Sequence, residues 1–150
     1  MYRILSILPL LLSVVFATEC PNGFLPHYNS CHAPILDLAG WAEARQYCAA
    51  MGAELSRVER IEEQHYLEGL LSRYKGNYWI GGLDFLEEGV FMWDNTLQPI
   101  GQTFWAPGEP SGSNCLLLLE KSHYKWADEA CPSKQHFVCE MPAGAPPLVG

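Results

Sequence analysis

The stretch "NYWIGGLDF", residues 77–85, marks the point at which the pattern of the sequence changes. Aromatic and branched side chains are concentrated here and are interrupted by glycine and aspartate, which is typical of a short strand. Four similar runs follow: "VFMWDN" (90–95), "CLLLLE" (115–120), "YKWAD" (124–128) and "HFVCE" (136–140). Because Gly, Pro, Asn and Asp separate these runs, we predict short strands joined by long loops.

The residues before this stretch have helical spacing instead. In "GWAEARQYCAAMG" (40–52), Trp41, Ala44, Cys48 and Met51 recur at intervals of three and four, and Gly52 is suited to end a helix. This pattern predicts an amphipathic helix with a cysteine on its buried face.

A second helix is predicted in "RIEEQHYLEGLLSRYKG" (60–76). Its apolar stripe consists of Tyr66, Leu67, Leu70 and Leu71, and it is expected to close at Arg73, Lys75 and Gly76. Glu62 and Glu63 could be read as an acid–base pair, but a solvated first helical turn explains them better. Two helices followed by strands predict one α+β domain over residues 18–141.

The two ends of the chain have different compositions. Residues 1–17 have a basic start, an apolar run and small residues at the end, and we expect a secretory signal peptide cleaved after Ala17. An uncleaved anchor is the alternative, although the run is shorter than the roughly 20 residues of a spanning helix. The segment "PNGFLPHYNSC" (21–31) is predicted to form a hairpin. Residues 142–150 are predicted to form a flexible tail.

The charge balance is acidic, with 17 acidic and 9 basic residues and a net charge of −8. Loss of Arg3 with the signal peptide would bring the net charge to about −9. Such a surface repels phosphate backbones and anionic bilayers, so we expect no nucleic-acid partner and no membrane insertion.

Six cysteines follow the predicted cleavage site, at positions 20, 31, 48, 115, 131 and 139. An even number in a secreted chain predicts three disulfides, but spacing alone allows 15 pairings. A zinc site is the alternative use of cysteine. The sequence has neither a C-x-x-C pair nor an H-E-x-x-H motif, which favours disulfides.

Several motifs, taken in order, resemble the C-type lectin-like domain family. Trp41, Ala44 and Cys48 match the first-helix pattern W-x-x-A-x-x-x-C. The other matching segments are "EEQHYL", "WIGGLD", "FWAPGEPS", "KWADEAC" and "FVCE". The layout is similar to the long form of the domain in single-domain secreted lectins of the perlucin type. The resemblance implies the disulfides Cys20–Cys31, Cys48–Cys139 and Cys115–Cys131.

The resemblance also implies a calcium and sugar site in the loop "APGEPSGSNC" (106–115). Glu109, Pro110 and Asp128 match the family's positions. Three positions depart from the pattern: Ser111 replaces an amide, Ser113 an acid and Ala127 the asparagine before Asp128. Glu109, Ser111 and Asp128 are therefore the candidate metal ligands, with Asn114 or Glu120 as possible additions. Calcium prefers 6–8 oxygen ligands, several of them charged, so we expect weak calcium binding or none.

From this resemblance we expect a secreted lectin that binds glycans or glycoprotein surfaces, with mannose-type preference implied by the Glu-Pro order. The alternative is a calcium-independent module that binds a protein or mineral surface. An enzyme is the third class. A triad of Ser111 or Ser113 with His123 and Asp128 lacks the G-x-S-x-G elbow, so we expect no catalysis. Trp105 and Trp126 flank the loop and could stack on a ligand, but burial in the core is the expected role of most tryptophans.

Overall fold

The computed structural model describes residues 19–144, so the expected signal peptide and residues 145–150 lie outside the described residues. The two predicted helices and the five predicted strands are present, which confirms the α+β class. In chain order the elements are β1 (Leu25–His27), β2 (Ser30–Ala39), α1 (Trp41–Ala50), β3 (Glu54–Leu55), α2 (Ile61–Leu71), β4 (Tyr78–Leu83), β5 (Met92–Trp93), β6 (Cys115–Leu119), a 3-10 turn (Glu120–Ser122), β7 (Lys125–Glu129) and β8 (Gln135–Pro142).

The strands form one mixed sheet rather than separate antiparallel sheets. Its main path runs β1-β2-β8-β4-β6-β7, with β3 paired to β8 and β5 paired to β4. The pairs are antiparallel except β4–β8, where Tyr78 lies opposite His136 and Trp79 opposite Phe137 in parallel. Parallel neighbours need a long crossover, and the chain between β4 and β8 supplies it as β5, the loops, β6 and β7.

Helix α1 packs on the sheet through the side chains that the sequence indicated. Trp41, Ala44 and Cys48 are buried, and the helix ends at Ala50, two residues before Gly52, whose φ is +73°. The indole N–H of Trp41 donates to the carbonyl of Ile80 at 2.8 Å, and that of Trp79 donates to Ala39 at 2.9 Å. These two bonds fix the helix and the end of β2 against the central strand β4.

Helix α2 begins at Ile61, and its first turn explains one of the paired glutamates. The Glu63 carboxylate accepts hydrogen bonds from the backbone N–H groups of Glu59 (2.7 Å) and Arg60 (3.3 Å), so it caps the helix. The buried face includes Gln64 where the predicted stripe had Tyr66, which is only half-buried. The helix ends at Leu71, short of the predicted closing residues. Neither helix within residues 19–144 is long and apolar enough to cross a membrane.

The hairpin predicted within residues 21–31 is present as β1 and the start of β2, but the extension of β2 to Ala39 was not predicted from the sequence. Pro34 obscures the strand pattern, because proline has no N–H to donate to a ladder, yet it lies opposite Val138 in the β2–β8 pair. Residues 142–144, which the sequence assigned to a flexible tail, belong to this part of the structure. Pro142 ends β8, and the N–H groups of Ala143 and Gly144 donate to the carbonyls of Asn29 and Glu19.

All three disulfides have the pairing that the family resemblance implied: Cys20–Cys31, Cys48–Cys139 and Cys115–Cys131. The second spans 91 residues and joins α1 to β8. In the chain-entropy model, a closed loop of that length lowers the entropy of the unfolded chain enough to stabilise the fold by about 4–5 kcal/mol.

Four of the five tryptophans are buried in the core, as expected. Trp79 and Trp126 are fully buried, while Trp41 and Trp93 retain only 4% and 3% of their accessible surface. Trp105 is half-buried and packs edge-on against Trp126. The tryptophans beside the loop therefore support it from beneath.

The close approach of β4 and β6 gives the first testable prediction. A Cβ added at Gly82 would lie 2.5 Å from Leu116 Cδ2 and 3.0 Å from its Cβ, and Leu116 is fully buried. We expect Gly82→Ala to lower the free energy of unfolding by about 1–3 kcal/mol in urea denaturation. Gly69→Ala is the matched control, because Gly69 lies in α2 with open space around it and should gain about 0.5–1 kcal/mol. Equal effects of the two substitutions would contradict this packing.

Candidate functional site

The loop 106–115 is held at its base by strand β7. The N–H of Ala106 donates to the carbonyl of Trp126 at 2.8 Å, and the N–H of Trp126 donates to Phe104 at 2.8 Å. At the other end, Cys115 begins β6 and is bonded to Cys131. The loop therefore leaves and rejoins the sheet beside the same strand.

Asp128 lies opposite Leu116 near the end of β7, with only 5% of its surface accessible. Its Oδ1 accepts hydrogen bonds from the N–H of Ser111 at 2.5 Å and from the Ser111 hydroxyl at 2.9 Å. Its Oδ2 accepts one from the N–H of Ser113 at 2.5 Å. We call this arrangement of Asp128, Ser111 and Ser113 the Asp128 clasp, because one carboxylate closes the loop onto the strand.

Gly112 makes the clasp possible. Its φ is +101°, a conformation that side chains with a Cβ rarely adopt, and it lies between the two serines whose amides meet one carboxylate. The clasp therefore depends on backbone direction as well as on the serine hydroxyl.

Glu109 lies beside the clasp and has a different environment. Its Oε2 is buried and has no hydrogen-bond partner among the described residues. Burial, followed by the neighbouring Asp128 carboxylate, raises the pKa of Glu109 above its usual range. Burial by itself would also raise the pKa of Asp128, but Glu109 and the bonds from Ser111 and Ser113 hold that pKa below its usual range. Asp128 thus carries the negative charge, and Glu109 retains a proton more readily.

The predicted site residues are brought together, but two of them play a different part from the one expected. The Glu109–Pro110 peptide bond is cis. Ser111 uses its hydroxyl to donate to Asp128, and Ser113 contributes its backbone N–H to the clasp. The two serines therefore supply hydrogen-bond donors to both carboxylate oxygens of Asp128.

These residues do not fit a calcium ion. Both Asp128 oxygens already accept hydrogen bonds from the loop, and Ala127 supplies no side-chain ligand. Among residues 19–144, no group of three or more His, Cys, Asp or Glu side chains is placed to hold a metal. Since calcium prefers several charged oxygen ligands, one engaged carboxylate and one glutamate make a poor donor set.

Of the two additional ligands considered, only Asn114 is near the site. Its carbonyl accepts a hydrogen bond from the N–H of Asp84 at 3.1 Å. Glu120 lies at the other end of β6 and accepts from the N–H of Gly76 at 2.7 Å. A metal or sugar role for Glu120 is therefore inconsistent with its position.

Asp84 is the residue that sequence reasoning missed. It is 3% exposed, its Oδ2 accepts from the N–H of Gly89 at 3.0 Å, and its Oδ1 is buried without a partner among the described residues. Its position at the end of "WIGGLD" was the available signal, since a carboxylate that closes a strand commonly ties down the next turn.

The hypothetical triad is not assembled. His123 is exposed and precedes β7, whereas Asp128 lies near the end of that strand. His123 and Tyr124 have positive φ and lie before the strand, and the extended chain from Lys125 to Asp128 by itself spans roughly 10 Å. Asp128 instead receives its hydrogen bonds from the two serines.

Comparisons with known proteins agree with this geometry. The family model of the lectin C-type domain matches residues 38–141. Perlucin from Haliotis laevigata is 30% identical over 128 residues, covering 81% of this chain and 82% of perlucin. Among solved structures, the carbohydrate-recognition domain of cow CD23, determined in the presence of a GlcNAc2Man3 oligosaccharide, is 30% identical, with a TM-score of 0.76 and coverage of 85% of this chain and 99% of that chain.

A calcium-independent type II antifreeze protein is also similar. It is 25% identical, with a TM-score of 0.76, and covers 83% of this chain and 95% of its own. The matched family is non-enzymatic, and it includes both carbohydrate-binding members and members that act without calcium. The match over most of the domain, the three disulfides and the loop beside β7 show that this chain belongs to the C-type lectin domain family.

Proposed function

We propose that this protein is a secreted lectin that binds neutral glycans through the face formed by loop 106–115, without needing calcium. The Asp128 clasp carries the proposal. In a calcium-dependent loop, coordination of the cation holds the ligand residues together. Here three hydrogen bonds from Ser111 and Ser113 to the Asp128 carboxylate hold the loop in place. The loop is therefore shaped before any ligand arrives, and pre-organisation of this kind lowers the cost of binding.

Glycans are the ligand class that the site chemistry favours. The Glu109 carboxyl group can accept from a sugar hydroxyl and, when protonated, donate to one, while the Ser113 hydroxyl and the Asn114 amide follow further along the same loop. The similarity to the CD23 domain, which was solved with an oligosaccharide present, supports the same class. Secretion is supported by the expected signal peptide and by three disulfides, which persist in oxidising compartments.

The first test is a thermal melt with and without calcium. At about 10 mM calcium, a site with millimolar affinity would stabilise the fold by about 1.4 kcal/mol and raise the melting temperature by several degrees. We expect no such rise. We also expect binding to an immobilised mannose-rich glycoprotein to be equal in calcium and in chelator.

A melting temperature that rises with calcium would overturn the calcium-independent part of the proposal. Binding that persists in both solutions but resists competition by free sugar would instead identify a protein or mineral surface as the ligand.

Substitution of the clasp residue gives the second test. Asp128→Asn removes the charge that accepts from three donors and places an amide N–H against one of them. We expect the free energy of unfolding to fall by about 1–3 kcal/mol in urea denaturation, because hydrogen bonds to charged acceptors are the stronger class. Glu87→Gln, an exposed change of the same charge, should have almost no effect. Equal stability of Asp128→Asn and wild type would show that the clasp does not hold the loop.

Glu109→Gln tests the electrostatics through pH. The pKa of Glu109 is higher in the folded than in the unfolded state, where it is about 4.3. The contribution of Glu109 to the free energy of unfolding therefore falls as the pH rises from the unfolded-state pKa through the folded-state pKa. Above that window the charged glutamate is unfavourable, so the glutamine variant should melt at a higher temperature than wild type at pH 7. Below pH 4 both side chains are neutral, and the two melting temperatures should converge. A lower melting temperature for the variant at pH 7 would contradict the raised pKa.

A further inference from the structure

A concave surface adjoins the clasp. A cavity of about 360 Å³ is lined by Phe85, residues 112–114 and residues 130–132. This volume falls within the range of roughly 300–1,000 Å³ that is common for small-molecule sites. Ser113 belongs to both the cavity and the clasp, and Gly112, which separates the two clasp serines, also lines the cavity, so one extended ligand could occupy both surfaces.

Phe85 is held in an exposed position by the residues around it. The preceding Asp84 is buried, and its backbone N–H donates to Asn114 while its side chain accepts from Gly89. These bonds fix both ends of the turn, yet Phe85 at its tip remains 59% exposed. Single exposed apolar side chains are common at protein surfaces, but Phe85 also lines the cavity and is therefore placed to contact a ligand there.

The remaining lining has the mixed character that suits a sugar ring. The Ser113 hydroxyl and the Asn114 amide provide hydrogen-bonding groups, while Phe85 and Pro132 provide apolar surface. A pyranose has the same division, with C–H groups on one face and hydroxyls at its edge. An aromatic ring can pack against the C–H face while polar groups meet the edge.

The charge around the cavity restricts the kind of sugar. Glu87 and Glu88 follow Phe85 on the same turn, and Glu129 precedes the lining residue Ala130; all three are exposed. Their carboxylates repel sialic acid and sulfated sugars. The site therefore favours an uncharged residue.

From these observations we propose that the cavity beside Phe85 is a second sugar subsite, which binds the next neutral pyranose of a glycan whose first residue contacts loop 106–115. This inference rests on the proposed glycan-binding function and extends it. It makes Phe85 a specificity residue that favours oligosaccharides over monosaccharides.

The test is a pair of NMR titrations of the disulfide-bonded protein with methyl α-mannoside and with a linear mannotriose. We expect the trisaccharide to bind more tightly and to shift the amide signals of Asn114 and Ala130 more than the monosaccharide does. Phe85→Ala should weaken trisaccharide binding about 2- to 10-fold, and monosaccharide binding less, because one aromatic contact is lost. Leu86→Ala is the matched control: Leu86 is on the same turn and 71% exposed but does not line the cavity, so the ratio of the two affinities should not change.

The outcomes separate the two proposals. If wild type binds both sugars but Phe85→Ala leaves the affinity ratio unchanged, or Leu86→Ala lowers it equally, the subsite is wrong and glycan binding stands. Failure of wild type to bind either sugar would overturn both. Tighter binding of sialyllactose than of the neutral trisaccharide would overturn the charge argument and the subsite with it.

Discussion

Trp126 connects helix α2, the sheet and the loop 106–115. Its indole N–H donates to Gln64 Oε1 on α2 at 2.9 Å, and its backbone bonds to Phe104 and Ala106 hold the start of the loop. Its ring packs edge-on against Trp93, Phe104 and Trp105. Gln64 is fully buried and also donates to the carbonyl of Tyr124 at 2.8 Å, and Lys125 on β7 pairs with Glu68 at 2.8 Å, so polar side chains of α2 set the position of β7. Buried networks of this kind are specific because each member would be costly to leave unpaired.

Asp128 follows Trp126 by two residues on β7, so the network around Trp126 also positions Asp128. Its carboxylate is turned towards the loop, where three donors meet it, and the nearby Glu109 is left with an unpartnered buried oxygen. Two carboxylates this close differ in proton affinity, because the one that receives the donors keeps the charge. Ser111 and Ser113 are poorer cation ligands than an amide and an acid, but their hydrogen bonds to Asp128 hold the loop against β7.

The disulfide between Cys115 and Cys131 brings the two proposed sugar contacts together. It joins the end of the loop to residues 130–132, which form one wall of the cavity beside Phe85. The turn that carries Phe85 is hydrogen-bonded to Asn114, which precedes Cys115. Three separate segments of the chain thus meet at one edge of the sheet. A disulfide and internal hydrogen bonds connect these segments without a ligand, which is consistent with recognition by shape and hydrogen bonding rather than by a loop that folds around an ion.

The sequence by itself determined the two helices and five of the strands, because periodicity and turn residues are local signals. Through the family resemblance it also identified the disulfide pairing and the grouping of Glu109, Ser111 and Asp128. The tertiary structure decided the rest. Strand β2, with its proline, pairs with β8 about a hundred residues away, and the buried Gln64 accepts a hydrogen bond from the Trp126 indole. The direction of the Ser113 amide and the meeting of Phe85 with Pro132 likewise depend on contacts between distant segments, which no local pattern encodes.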